Sequence, residues 1–363
     1  MTLREQVGQL FMIGFDGTEL SPELASWVQE YQPGGIILFS RNLVEAKQIA
    51  HLTNSLQELT SSSPLLMAID QEGGKVSRLP AGFTIFPPAA TVAACGSPDF
   101  AYQAAAVTAK ELRAVGFNMN MAPVLDVNTN PSNPIIGDRA FSGDPEHVCT
   151  LGNATISGLH DHHVIACGKH FPGHGETTKD SHKELPVVTL SKERLEQIEL
   201  QPFRSAIAHG LMTLMSAHIH YPALDDSVPA TLSHTIMTTL LRDQLGFSGV
   251  ILSDDLEMNA IAEHSSMGEA AVRSIQAGVD LILICHQQFR QAEAIEAIEQ
   301  AVTKGDISTA RLQASLDRIS ALKQRFVMPY TPVDDTLISQ VVGAPTHQTL
   351  LAQIQTISSS SHT

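Results

Sequence analysis

The sequence predicts an α/β chain closed into a (β/α)8 barrel, on three observations. Eight short apolar runs recur along the 363 residues. Segments of helix length and helical periodicity lie between most of them, the pattern of parallel βαβ units. Nearly every run ends in Asp, His, Lys or Arg, and a barrel carries its functional residues where strands end and loops begin. A doubly wound open sheet also places its site at strand ends, so the count of eight is what favours the barrel. The length is ordinary for one barrel domain.

Taken in order, the run at 9–15 ends at Asp16, and 35–39 ends at Ser40-Arg41-Asn42. The run at 65–69 ends at Asp70, and 117–124 ends near Asp126. Residues 164–168 lead to Lys169-His170, and 212–217 to His218. Residues 249–253 lead to Asp254, and 279–284 to Cys285-His286. Helices are expected at 43–59, 100–115, 145–163, 192–209, 234–245, 268–278 and 287–304. After Arg325 the pattern changes: 329–345 reads as irregular, 347–357 as one short helix and the remainder as a polar tail. The expected organisation is one domain over 1–327, with 328–363 an extension and not a second domain.

Composition narrows the partners. The net charge of -16 argues against nucleic acid or an anionic membrane. The 43% hydrophobic content supports a large core. Four cysteines are scattered without CxxC spacing, which suits buried thiols in a reducing compartment. The first residues show no basic stretch leading into an apolar one, and no run is long enough to span a membrane. The cytoplasm is the expected location.

The densest chemistry is Lys169-His170-Phe171-Pro172-Gly173-His174-Gly175, followed by Asp180-Ser181-His182. A strand delivers a cation and an imidazole, and a loop shaped by Gly and Pro carries two more histidines and an aspartate. Asp180 stands two residues before His182, so a turn lets the carboxylate hydrogen-bond the ring and favour its protonated form. His182 is then a candidate general acid/base, an effect worth roughly 10²- to 10⁴-fold. A metal site of His170, His174 and His182 is the competing reading. Its spacing matches no helix or zinc-ribbon pattern and it lacks Cys ligands, so no metal is expected.

Asp254 follows the buried run Val250-Ile251-Leu252 and suits a nucleophile, whereas Asp255 reads as the cap of the next helix. Asp70 precedes Gly73-Gly74. Paired glycines permit close approach of a ligand, and an ionised Asp70 can accept hydroxyl hydrogen bonds from a sugar. The GxGxxG dinucleotide fingerprint is absent. A solvated turn with Asp70 as a helix cap is the plainer reading. Arg139 offers a fork for hydroxyls or a carbonyl, with a surface salt bridge as its alternative. His160, His162 and His163 read as a solvated helix end. Of His218 and His220, only His218 is placed toward a pocket, and neither is expected to be a catalyst.

These motifs together resemble glycoside hydrolase family 3, and within it the bacterial β-N-acetylglucosaminidases that serve cell-wall recycling. Residues 34–42, 70–78, the Arg139 loop and Ser253-Asp254-Asp255 look like further family blocks in family order, so the resemblance covers roughly residues 5–325. Residues 140–143, Ala-Phe-Ser-Gly, depart slightly from the Ser-Phe-Gly of the pattern. The resemblance implies a (β/α)8 TIM barrel and a retaining double displacement. Asp254 would attack the anomeric carbon. His182, aided by Asp180, would protonate the leaving oxygen and later activate water. Most retaining glycosidases use two carboxylic acids, and the histidine acid is a trait of this branch. Asp70, Arg78, Arg139, Lys169 and His170 would bind the sugar. The implied substrate is a muropeptide with terminal GlcNAc linked β-1,4 to anhydro-N-acetylmuramic acid, handled by a monomer without cofactor. Many members carry a second α/β sandwich domain, and none is expected here. Alternatives are a family β-glucosidase or β-xylosidase, a phosphorylase, and a sugar-binding barrel that has lost catalysis.

Overall fold

Side-chain alternation sorts the residues of each strand between two cores. The computed structural model describes residues 1–60, 63–178, 181 and 184–360. Among them the strands are β1 (Phe11–Ile13), β2 (Gly35–Leu38), β3 (Leu66–Ile69), β4 (Met119–Asn120), β5 (Ile165–Phe171), β6 (Thr213–Ser216), β7 (Val250–Asp255) and β8 (Leu281–Ile284). They pair in sequence order as a closed barrel, with β8 parallel to β1. One set of side chains fills the interior: Met12, Ile37, Leu66, Ala68, Ile165, Cys167, Val250 and Leu252 belong to it. The alternate set, including Ile36, Leu38, Met67, Ile69, Ala166 and Ile251, meets the surrounding helices. Successive residues of a strand point to opposite faces. Continuing the interior parity past the apolar stretch therefore reaches Asp70 after Leu66 and Ala68, Lys169 after Ile165 and Cys167, and Asp254 after Val250 and Leu252. The same alternation that builds the core thus carries three charged side chains to the mouth of the barrel.

Several boundaries differ from expectation, each for a physical reason. The expected strand over 117–124 is only Met119–Asn120, because Pro123 has no N–H to give a ladder. β5 runs on to Phe171. Leu125 donates to the Lys169 carbonyl at 2.7 Å and Ala217 to the Phe171 carbonyl at 2.8 Å, so Lys169 and His170 lie within the strand and not beyond it. Helices Pro22–Tyr31 and Thr309–Phe326 were not anticipated. The second closes the base of the barrel, where Ile319, Leu322 and Phe326 join the interior core.

The end of the chain is more regular than its composition suggests. Asp335–Val341 is helical within the segment expected to be irregular, and a longer helix spans Pro345–Ser360. Proline suits the first helical position because its φ is already set. Leu350 and Ile354 join Phe86, Val92, Ala101 and Ala104 in a third apolar cluster. The His347 ring and the Gly343 amide both engage Glu111, at 2.8 and 3.0 Å. His160, expected to be solvated, lies against Phe326 with ring centroids 5.0 Å apart. Burial and Arg325 push its imidazole down to about 4. All four cysteines are free thiols. No described helix is long and apolar enough to cross a membrane.

Lys323 yields a stability prediction. The residue is 2% exposed, and its amine donates to Gln9 Oε1 at 2.9 Å and Ser63 Oγ at 3.1 Å, both neutral. Burial brings it down to about 7. The unfolded chain, with an amine near 10.4, therefore binds more protons than the folded one between these values. Stability should rise with pH across that window, and the cost of the buried charge is felt in full below about pH 7. Lys323→Met should accordingly stabilise the protein by roughly 1–4 kcal/mol at pH 6, since each pKa unit is worth about 1.4 kcal/mol, and by much less at pH 10. Urea unfolding at both pH values checks this, and an equal effect at both would contradict it.

Candidate active site

A cavity of about 370 Å³ opens at the C-terminal mouth of the barrel. Ile37, Met215 and Leu283 line it from the interior side. Asp70, Glu72, Arg78, Arg139, Lys169, His170 and Asp254 surround it. The structure thus brings together all six described residues of the expected set. Asp180 and His182 lie outside the described residues.

The wall between β3 and β5 is an ion-pair chain. Lys169 Nζ donates to Asp70 Oδ1 at 2.9 Å and lies 2.7 Å from Glu72 Oε1. Arg139 meets Glu72 with two parallel bonds, Nε to Oε2 and Nη2 to Oε1, both 2.8 Å. Side-chain exposure is 3% for Lys169, 6% for Glu72 and 11% for Arg139, so the network is screened from water. Burial alone would raise Glu72, yet Lys169 and Arg139 overcome it and hold the carboxyl well below the usual range. Burial likewise opposes the charge on Lys169, and Asp70 and Glu72 win, holding the amine above its ordinary value. Glu72, Lys169 and Arg139 are therefore ionised at neutral pH. The chain of alternating charges fixes Asp70, which sits at the cavity, without an adaptable water shell.

This geometry revises two readings. Asp70 is not a solvated turn residue but the end of a buried network. The Arg139 salt bridge is not at the surface: its fork meets Glu72 through Nε and Nη2, and the guanidinium is held rigid at the cavity wall. Glu72 itself was not singled out, although a second carboxylate two residues after a strand-end aspartate was a usable signal. Arg78 stands differently. Its Nη2 is 3.7 Å from Asp70 Oδ2, too long for a hydrogen bond, and its guanidinium lies 5.9 Å from the centroid of the Phe39 ring. Its Nε is buried with no hydrogen-bond partner among the described residues. A donor in that state suits an incoming polar ligand.

His170 and His174 are organised by Asp126, which is fully buried. Asp126 Oδ2 meets His170 Nδ1 at 2.7 Å, and Oδ1 accepts from the His174 amide at 2.6 Å. Burial opposes the charge on Asp126, but the His170 imidazole keeps its carboxyl below the ordinary range. His174 has Nδ1 at 2.7 Å from Thr177 Oγ1 and Nε2 at 3.3 Å from Ser181 Oγ. Burial and the neighbouring His170 bring His174 down to about 4, so it is neutral. Its two nitrogens serve the loop that leads to residues 179–183. A metal cluster is absent among the described residues. Gly175 shows why this loop needs glycine: a Cβ there would stand 1.7 Å from the Val127 carbonyl oxygen. The requirement at Gly175 is close approach of two backbones.

Asp254 lies at the tip of β7, and its Oδ1 accepts from the Asp255 amide at 2.8 Å. Asp255 is more than the expected cap. Its Oδ1 accepts from the Glu257 amide at 3.1 Å and from the Cys285 amide at 3.3 Å, tying β7 to the end of β8. Burial, with Glu257 and Asp254 nearby, pushes its carboxyl up to about 7. His218 is fully buried and not part of the cavity lining.

A carboxylate at a strand tip, facing a cavity whose other wall is a rigid chain of hydrogen-bonding charges, suits nucleophilic attack on a bound polyol. Residues 2–322 match the glycosyl hydrolase family 3 N-terminal domain. The chain belongs to glycosyl hydrolase family 3. Among its relatives, the beta-hexosaminidase of Nitrosomonas eutropha is 39% identical, over 83% of this chain and 87% of that protein. Beta-hexosaminidase A of Pseudoalteromonas piscicida is 36% identical over 93% of this chain, which spans 60% of the relative's length. A solved family 3 beta-N-acetylglucosaminidase from Paenibacillus sp. FPU-7 is 43% identical, with a TM-score of 0.92 over 99% of this chain and 69% of that one.

Proposed function

We propose that this protein is a retaining exo-β-N-acetylglucosaminidase. In this reading it removes non-reducing terminal GlcNAc from β-1,4-linked muropeptides in peptidoglycan recycling. The observation that carries the reading is Asp254 at the β7 tip, across a cavity from Asp70 and Lys169, in a chain similar to named β-hexosaminidases. Asp254 attacks the anomeric carbon from the face opposite the leaving oxygen, forming a C–O bond as the glycosidic bond breaks. His182, partnered by Asp180, gives its proton to the leaving oxygen. The histidine then takes a proton from water, whose oxygen displaces Asp254 and releases the sugar with its original configuration. Asp70 accepts from sugar hydroxyls, while Lys169 and Arg78 donate to them. Arg139 and His170 complete the sugar-binding wall, each oriented by its carboxylate partner.

Turnover of the p-nitrophenyl β-glycosides of GlcNAc and of glucose tests the reading, with and without added phosphate. Faster release from the GlcNAc compound, independent of phosphate, is the expected result. Preference for glucose would move the chain to a β-glucosidase reading. Acceleration by phosphate, with a sugar 1-phosphate as product, would make it a phosphorylase. No cleavage under either condition would leave a sugar-binding barrel.

A further inference from the structure

We infer that His218 is a positioning residue that holds the tip of β7, and with it the nucleophile; the inference rests on the function proposed above and deepens it. β7 pairs with β8 at Leu252 and Leu281, but by Asp255 and Leu283 the register has slipped. Three steps along β7 thus match two along β8, and Asp254 lies inside this bulge. A bulge re-aims a side chain but takes its residues out of the regular ladder. On the other side the pairing of β6 with β7 ends at Met215 and Leu252. On that side the segment that carries Asp254 depends on bonds from outside the ladder.

On the β8 side three bonds hold the segment. Leu256 donates to the Leu283 carbonyl at 3.0 Å, the Leu283 amide to Ser253 Oγ at 3.0 Å, and the Cys285 amide to Asp255 Oδ1 at 3.3 Å. On the β6 side the tie is a side chain: His218 Nε2 lies 3.0 Å from the Asp255 carbonyl oxygen. A carbonyl only accepts, so Nε2 carries the proton. Nδ1 lies 2.8 Å from Thr231 Oγ1, which is itself 2.8 Å from Ser216 Oγ and 3.1 Å from the Ala217 carbonyl. His218, Thr231 and Ser216 are at most 1% exposed. The ring is clamped to β6 and reaches over to β7 where the ladder has stopped. Asp255 is the shared point: its amide holds the Asp254 carboxylate and its carbonyl is held by His218.

Two variants and two readouts test this. Gln can place an amide donor near the position of Nε2, whereas Asn is too short. His218→Asn should lower kcat on p-nitrophenyl β-GlcNAc by about 10- to 100-fold with KM within about threefold, since misplacing a reacting group costs rate more than binding. His218→Gln should return kcat to within about threefold of wild type. Amide hydrogen exchange across 253–257 should be faster in His218→Asn and near wild type in His218→Gln. Equal loss in both variants, a loss carried by KM, or unchanged exchange at the β7 tip would overturn the inference. If His218→Asn does not fold, Thr231→Val frees Nδ1 from its clamp and is read the same way, with no change in either readout counting against the inference. A wild type that cleaves no GlcNAc glycoside would refute the proposed function. The exchange measurement would then decide the tether by itself.

Discussion

Asp254→Ala should lower turnover of p-nitrophenyl β-GlcNAc by at least about 10³-fold, and sodium azide should restore part of the rate. The interior parity of β7 aims Asp254 at the cavity, and the Asp255 amide holds one of its oxygens at 2.8 Å. Removing the carboxylate opens space on the face of the sugar opposite the leaving group. Azide is small and anionic, and it can occupy that space. It forms the bond to the anomeric carbon while p-nitrophenolate departs, a leaving group that needs no proton. A single displacement inverts the centre, so the product should be the α-glycosyl azide. Nuclear magnetic resonance of the product distinguishes the outcomes. A β-glycosyl azide would mean that Asp254 lies on the leaving-group side, and an undiminished rate would remove it from the chemistry.

Lys169→Met should cost about 3–5 kcal/mol of stability at pH 7, the range for removing one partner of a buried ion pair. Methionine nearly matches the volume of lysine, so the loss is electrostatic more than steric. Two carboxylates, Asp70 and Glu72, lose a cation that is 3% exposed and lies within 2.9 Å of each. The pH dependence identifies the cause. In the wild type the folded Glu72 carboxyl is held below its ordinary value, so its contribution to stability is present at neutral pH and lost as pH falls. Without Lys169 that carboxyl protonates more readily in the folded state. The gap between wild type and variant should therefore narrow toward about pH 4. Urea unfolding at pH 7 and pH 4 measures it. A gap of the same size at both values would assign the loss to packing.

Much of the site is legible in the sequence because it follows from a local rule. A strand alternates faces with period two, so an apolar stretch that alternates into a core tells which side the next charged residue takes. Asp70, Lys169 and Asp254 obey that rule. The roles of Glu72, Asp126 and His218 were not legible in this way. Glu72 and Asp126 matter through partners 97 and 44 residues away, Lys169 and His170. His218 acts on Asp255, 37 residues on. No spacing in the chain announces such pairs, since they arise when the barrel closes. The docking of the final helix was hidden for the same reason, although a helix at 347–357 was expected. Its burial depends on Phe86, Ala101 and Glu111, far away in sequence.

Local sequence set the eight-strand alternation, the placement of polar residues at strand ends and the set of groups that could act on a sugar. These are properties of neighbours along the chain, and backbone geometry converts them directly into position. Tertiary structure alone decided which charges neutralise one another. It turned the Arg139 fork toward Glu72, gave Asp255 a carboxyl pushed up to about 7 by burial, and put the His218 ring under the β7 tip. Ionisation and orientation depend on burial and on distances of about 3 Å between residues that only the closed barrel brings together.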